Sequence, residues 1–224
     1  DYKRMELKPM NEVPLERRVE LQNLYLRNMQ EIKWRIEAID EIRSGKRTTR
    51  FLQTNIEFCV LQIRKILELI ALSALVSDAD TYKDKLGKIE TMWNARLILQ
   101  DIERIHPDFY PHPIRTVKDK WVDVECEYLT KDKFIKVYEK CGKMLHESSP
   151  FIDEETTQQE YRQIWDDIPQ WRDWIITLLN THIIQLYNRA ELFYIIMQSK
   201  DNGYPTGNIF SQVTEEEQNE PHEI

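Results

Sequence analysis

Apolar and polar positions follow a helical period over most of this chain, most strongly within residues 51–77. Leu52, Ile56, Cys59, Ile63, Ile66 and Ile70 form one row at about 100° per residue, and Val60, Leu67 and Ala74 widen it. The polar residues make only a thin stripe. Glu57, Arg64 and Glu68 fall within about 40° of one another, with Thr54 and Lys65 beside them. A helix that is apolar nearly all round is covered by neighbours on most sides, so this segment is expected at the centre of a bundle. Buried charges are costly when unpaired, and Arg64 is therefore expected to lie against Glu57 or Glu68. The stripe reads either as an ion network satisfied within the fold or as the edge of a site.

Upstream, Tyr25, Met29, Ile32, Ile36 and Ile39 step by fours and threes, which predicts a long helix over residues 15–42. Residues 43–50 make the turn, with Gly45 placed to end the first helix and Thr48 or Thr49 to cap the second. So short a connection predicts an antiparallel pair. Residues 78–87 read as a polar connection. Helix resumes over residues 88–105, with Ile89, Trp93, Leu97 or Ile98, and Ile102 or Ile105 inward. Residues 106–113 form a proline-stiffened loop whose Phe109 and Tyr110 fold back on the core. Residues 121–129 alternate weakly and read as extended.

Thr130 or Asp132 starts the next helix, which turns Phe134, Val137, Tyr138, Cys141, Met144 and Leu145 inward and ends within residues 146–150. Residues 153–165 and 170–180 predict two further helices separated at Pro169. At His182 the period changes. Residues 182–187 and 191–198 read as strands around an Asn188-Arg189 turn, with a third strand at 208–213. Such a meander is marginal alone, so its apolar side is expected on the helical body. The fold class is mainly α: an antiparallel helical bundle of about six helices with a small C-terminal antiparallel β-meander. Residues 1–14 read as a flexible lead-in, 15–180 as the helical domain, 181–213 as the meander and 214–224 as a disordered acidic tail.

Composition narrows function by exclusion. Five glycines against six tryptophans and ten tyrosines suit packed helices and leave little room for a glycine-rich nucleotide-binding turn. A net charge of −8 argues against bulk binding to nucleic acid or an anionic membrane. A local basic patch remains in the first turn: Arg43, Lys46, Arg47 and Arg50 read as a solvated loop or as contacts to an RNA phosphate backbone. The only long apolar run is broken by Arg64, Lys65 and Glu68, so no membrane span is expected. Cys59, Cys126 and Cys141 read as reduced thiols, which suits a cytoplasmic protein. His106 and His112 with Asp108 lack a third spaced ligand, so no metal is expected. The chain has no phosphate-cradling glycine loop, GxSxG, HExxH or CxxC pair, and no cofactor is expected.

One constellation carries chemistry. Lys140 and His146 stand six residues apart at a helix end, and the central helix presents Arg64 with Glu57 or Glu68 on one stripe. A histidine acting as general acid or base beside a cation that stabilises a phosphorane is what metal-free RNA cleavage needs. On an uninterrupted helix, residues six apart point about 120° away from each other, so Lys140 and His146 converge only if the helix stops before His146. Otherwise His146 reads as a helix-terminal residue that caps carbonyls or pairs with a carboxylate.

The segment LQIRKILELIALSAL, with Arg64 in an apolar helix, resembles the second helix of bacterial HEPN-type helical domains. The later GKMLHESSPF is similar to their final helix, where the family commonly has an Arg, four to six residues, then a His. The likeness spans residues 15–150 and leaves out the meander and the tail. Lys140 stands in place of that Arg, and no Arg–His pair of this spacing occurs in the chain. Lysine cannot offer the bidentate fork to a phosphate. Catalytic members of the superfamily are often endoribonucleases of defence and toxin systems, and members without the motif act as interaction or RNA-binding modules. The resemblance thus implies a non-catalytic module in bacterial stress or defence, acting through a protein partner or as a homodimer. Its alternative is a metal-independent endoribonuclease that uses His146 with Arg64 or Lys140, assembled across a dimer.

Overall fold

A computed structural model describes residues 13–146, 151 and 153–211 of the chain. Helices α1 (Leu15–Arg43) and α2 (Leu52–Ser77) form the expected antiparallel pair. Asn28 Nδ2 donates to Ser73 Oγ at 3.1 Å, and Arg35 Nη1 to Gln62 Oε1 at 2.8 Å, so the two chains run in opposite directions. The apolar row of α2 is buried from Ile56 to Ala74, while Leu52, in its first turn, stays half exposed. Helices α3 (Ala79–Leu86), α4 (Ala95–Ile105), α5 (Lys131–Met144) and α6 (Glu154–Leu179) join α1 in contacting α2. The helix that is apolar nearly all round is the one that every other described α-helix touches.

Strands β1 (His112–Val117), β2 (Lys120–Asp123), β3 (Thr181–Gln185), β4 (Glu191–Ile196) and β5 (Thr206–Ser211) form one antiparallel sheet in the order β2-β1-β3-β4-β5. The meander β3–β5 forms as the alternation predicts, and it turns His182, Ile184, Phe193 and Ile195 onto the helices. The β1–β2 hairpin extends it from the far edge. Trp121 of β2 crosses the outer face to stack on Tyr194 of β4, with centroids 5.2 Å apart and rings 9° from parallel. The sequence pattern left this hairpin inside the proline-rich loop and the weakly extended stretch. Its buried residues, Pro113 and Ile114, are adjacent instead of alternating, so the strand forms through pairing with β2 and β3.

Three further expectations are corrected. Residues 79–86 are helical, because Tyr82 is fully buried and anchors a turn that reads as polar; Gly87, at φ 81°, ends it. Trp93 is exposed, because the chain over residues 88–94 is a 3₁₀ turn and loop and α4 starts only at Ala95 under its Asn94 cap; of the paired alternatives, Ile98 and Ile102 are the ones that turn inward. Neither Thr48 nor Thr49 caps α2; Phe51 holds that position, and Asn55 Oδ1 reaches back to accept from the Thr49 N–H at 2.7 Å. Gly45 does end α1, at φ 74°, and Thr130 does cap α5. The lead-in up to residue 12, residues 147–150 and 152, and the acidic tail lie outside the described residues.

The most informative correction is α6, one helix that runs through Pro169. Proline has no N–H, so the carbonyl four residues earlier, that of Trp165, loses its helical donor. Arg43 supplies one. Its Nη1 donates to the Trp165 carbonyl at 3.0 Å, and its guanidinium carbon lies 3.8 Å from the Trp165 ring centroid. A long-range contact thus repairs a defect that local sequence reads as a break.

Several buried polar groups are paired across elements in the same way. Arg18, 3% exposed, donates through Nη1 to Asp78 Oδ1 at 3.2 Å and meets Glu191 through Nη2 at 3.1 Å. Asp78 Oδ2 accepts from the Tyr187 N–H at 2.6 Å, so one buried carboxylate ties α1, the α2–α3 corner and the β3–β4 turn. His182 is fully buried; its Nδ1 donates to the Leu179 carbonyl at 2.8 Å, which leaves Nε2 to accept from the Tyr25 hydroxyl at 2.7 Å.

Two measurements follow from this frame. Arg43→Ala should lower the unfolding free energy by about 2 kcal/mol, and by about 1 kcal/mol less in a Pro169→Ala background, where residue 169 regains an N–H for the Trp165 carbonyl. Urea unfolding of the four chains checks this. Burial pushes the His182 imidazole down to about 4, against an ordinary 6.5. The unfolded chain therefore takes up a proton below about pH 6.5 that the native state refuses until about pH 4. Stability should be whole above that window and fall through it as the pH drops, by about 3 kcal/mol in total. Urea midpoints between pH 7.5 and 4.5 should fall less steeply in His182→Gln than in the wild type.

Candidate functional site

Arg64 leaves the middle of α2 with its side chain a quarter exposed, on the side covered by α5. Nη2 donates to the Tyr138 hydroxyl at 3.0 Å, and the guanidinium carbon lies 4.3 Å from the Tyr138 ring centroid. Nε is 3.4 Å from Glu68 Oε1, one helical turn along, and Lys65 Nζ reaches the other oxygen at 2.8 Å. Nη1 occupies the space beside Gly142, only 2.9 Å from where a Cβ on that residue would stand. The glycine is what lets a guanidinium lie against the α5 backbone.

The stripe divides at Glu57. Seven residues rise about 10.5 Å along a helix, too far for Glu57 and Arg64 to pair. Glu57 instead accepts from the Tyr161 hydroxyl of α6 at 2.6 Å. Of the two expected partners of Arg64, Glu68 is the one it meets.

Helix α5 stops at Met144, before His146, so the 120° rule for an unbroken helix does not reach His146, and it is the partner of Lys140 that separates the two. Lys140 turns to α6, where its Nζ is 3.1 Å from Asp167 and 5.7 Å from the Trp171 ring centroid. Leu145 keeps αR backbone, and the His146 N–H donates to the Lys143 carbonyl at 3.3 Å. His146 therefore stands just past the end of α5, four residues after Gly142. Its ring is exposed and has no hydrogen-bond partner among the described residues. The fold gathers Arg64, Glu68 and Tyr138 beside Gly142 of α5, sends Lys140 and Glu57 to α6, and leaves His146 beyond the end of α5.

The buried thiols add no nucleophile to this face. Desolvation pushes Cys59 up to about 11 and Cys141 up to about 12, so both stay protonated at neutral pH. The cations of the first turn are largely occupied. Arg43 holds the Trp165 carbonyl, and both Lys46 and Arg47 meet Glu41, whose carboxyl is held below its usual range chiefly by the Lys46 hydrogen bond. Arg50 has positive φ, 84°, and lies over the Phe51 ring at 5.5 Å; it meets no carboxylate among the described residues.

The two histidines of the proline-rich stretch separate. His106 is buried against the Tyr82 hydroxyl at 2.8 Å, and His112 pairs with Asp123 at 2.8 Å on the hairpin. Among the described residues, no three His, Cys, Asp or Glu side chains are grouped to hold a metal ion, and no helix is long and apolar enough to cross a membrane.

No family model, curated protein or solved structure matches this chain. What the face can do is therefore set by its own geometry: a partly exposed guanidinium and a phenol, with the Lys65 ammonium on the same Glu68 carboxylate, and an exposed imidazole beyond the end of α5. The sequence places Tyr138 inward on α5 but not as the partner of Arg64, and it does not single out Gly142, Tyr161 or Asp167. Gly142 carried a usable signal, since a glycine inside a helix is about 1 kcal/mol less favourable than alanine and stands where something approaches closely.

Gly142→Ala should accordingly gain helix propensity but displace the Arg64 guanidinium. In an Arg64→Met background the same change should be about 1 kcal/mol more stabilising than in the wild type, as read from denaturant midpoints of the four proteins.

Proposed function

We propose that this chain is a non-catalytic, HEPN-like interaction module of bacterial stress or defence, working through a protein partner or a second copy of itself. The observation that carries the reading is where its cations go. Arg64 is held by Glu68 and Tyr138, Lys140 by Asp167, Arg43 by the Trp165 carbonyl, and Lys46 and Arg47 by Glu41. Side chains already committed within the fold are poor clamps for a phosphate, whose charge must be matched in the transition state. The sheet supports the same reading. Strand β5 pairs with β4 alone among the described strands, and its six residues, TGNIFS, carry no charge or proline to guard the edge against a further strand.

A second reading is favoured by one observation, the placement of His146 four residues beyond the glycine that Arg64 covers. On that reading the chain is a metal-independent endoribonuclease in which His146 moves the proton and Arg64 stabilises the phosphorane, with Lys140 and Glu57 outside the chemistry.

Incubation with structured and single-stranded RNA in the presence of a chelator separates the two. The RNA should stay intact with wild-type protein and with His146→Ala alike. Cleavage that persists with chelator, disappears in both His146→Ala and Arg64→Gln and survives Lys140→Gln would replace the first reading with the second.

A further inference from the structure

Aromatic rings in this chain repeatedly carry a cation of its own. Arg43 lies over Trp165, Lys133 over Trp174 at 4.1 Å, Lys140 over Trp171 and Lys85 over Tyr187 at 4.8 Å. Trp34 breaks the pattern. It stands on α1 outside the buried seam, 61% exposed, with no cation over its ring among the described residues. It is also one wall of a groove of about 480 Å³ between α1, the end of α6 and the β4–β5 loop. Tyr204, 58% exposed on that loop, lines the same groove, whose apolar lining comes from Ile36, Ile176, Leu179 and Met197.

The charges of this groove leave one carboxylate open. Lys33 is one helical turn before Glu37, the spacing at which the two would ordinarily pair. Its ammonium instead donates to the Gly203 carbonyl and so holds the Tyr204 loop in place. Asp40 is taken by Arg172 at 2.7 Å. Glu37 lines the groove exposed and has no ion-pair partner among the described residues. About two turns earlier on α1, Gln30 Oε1 is buried behind the same groove and accepts no hydrogen bond among the described residues. Two exposed aromatic rings and an open carboxylate favour the same kind of guest, a cation rich in N–H donors.

We propose that this groove binds the arginine or lysine side chain of a basic peptide segment in a partner protein, with Trp34 and Tyr204 facing the cation and Glu37 neutralising it. The proposal deepens the partner-binding reading above and rests on it. A net charge of −8 on this chain also favours a basic partner over an acidic one. The apolar lining suits the methylene stem behind either head group.

The probe is a capped peptide of alternating arginine and glycine, titrated into the full chain by calorimetry. Its controls are the same peptide with citrulline for arginine, and free arginine amide. The arginine peptide should bind at least tenfold more tightly than the neutral citrulline peptide. Trp34→Ala and Glu37→Gln should each weaken it at least tenfold; both sites are exposed, and circular dichroism checks that the fold is kept. Glu125→Gln, on the distant hairpin, should leave binding unchanged. Equal binding of the citrulline peptide, equal loss in Glu125→Gln, or no binding at millimolar peptide overturns the groove. Arginine amide binding as tightly as the peptide overturns the peptide source in favour of a small cation. None of these outcomes involves RNA, so the groove and the non-catalytic reading fail separately.

Discussion

A helix with almost no polar face cannot sit at the edge of anything. Residues 56–74 of α2 present isoleucine, leucine, valine and alanine in nearly every direction, and the only stable solution in water is to surround them. Each of the other five described α-helices meets that demand from its own side. The antiparallel pairing with α1 follows from the short turn, and α5 and α6 close the side that carries the charged stripe. The architecture is the covering of one helix, and the sheet is docked on what that covering leaves.

Desolvation then dictates where the polar groups go. A helix buried this thoroughly tolerates Arg64 only because Glu68, Tyr138 and the gap at Gly142 receive its head group. The same rule places Arg18 between Asp78 and Glu191, and sets Arg43 on the carbonyl that Pro169 orphans. Buried pairs of this kind are weak sources of net stability, but losing one partner is costly, so they select one arrangement of helices over others. They also use up cations. The chemistry open to the α2–α5 face is narrower than its list of charged residues implies.

The residues left uncommitted are accordingly the informative ones. His146 at the end of α5, Glu37 and Trp34 on α1, and the edge of β5 have no internal partner among the described residues. They lie on different elements. The reading of the protein as an interaction module turns on these surfaces, and the nuclease reading on His146 alone.

Much of the frame was legible without coordinates. The 3.6-residue row on α2, the seam Tyr25–Met29–Ile32, the inward face of α5, and the alternation of β3 and β4 are local patterns, and burial follows directly from them. Gly45 and Thr130 worked as end signals because backbone conformation at a helix terminus is also local. Other features are matters of who the neighbour is. Pro169 reads as a break until Arg43, distant in sequence, offers the donor it lacks. Strands β1 and β2 have too little alternation to declare themselves, and exist because Trp121 finds Tyr194 and β3 offers an edge. Arg64 faced two carboxylates on paper. Helical rise excluded Glu57, and the close approach at Gly142 settled where its guanidinium rests. Periodicity by itself determined which faces are buried; only tertiary packing decided which buried charge meets which partner, because pairing depends on distances that no single element contains.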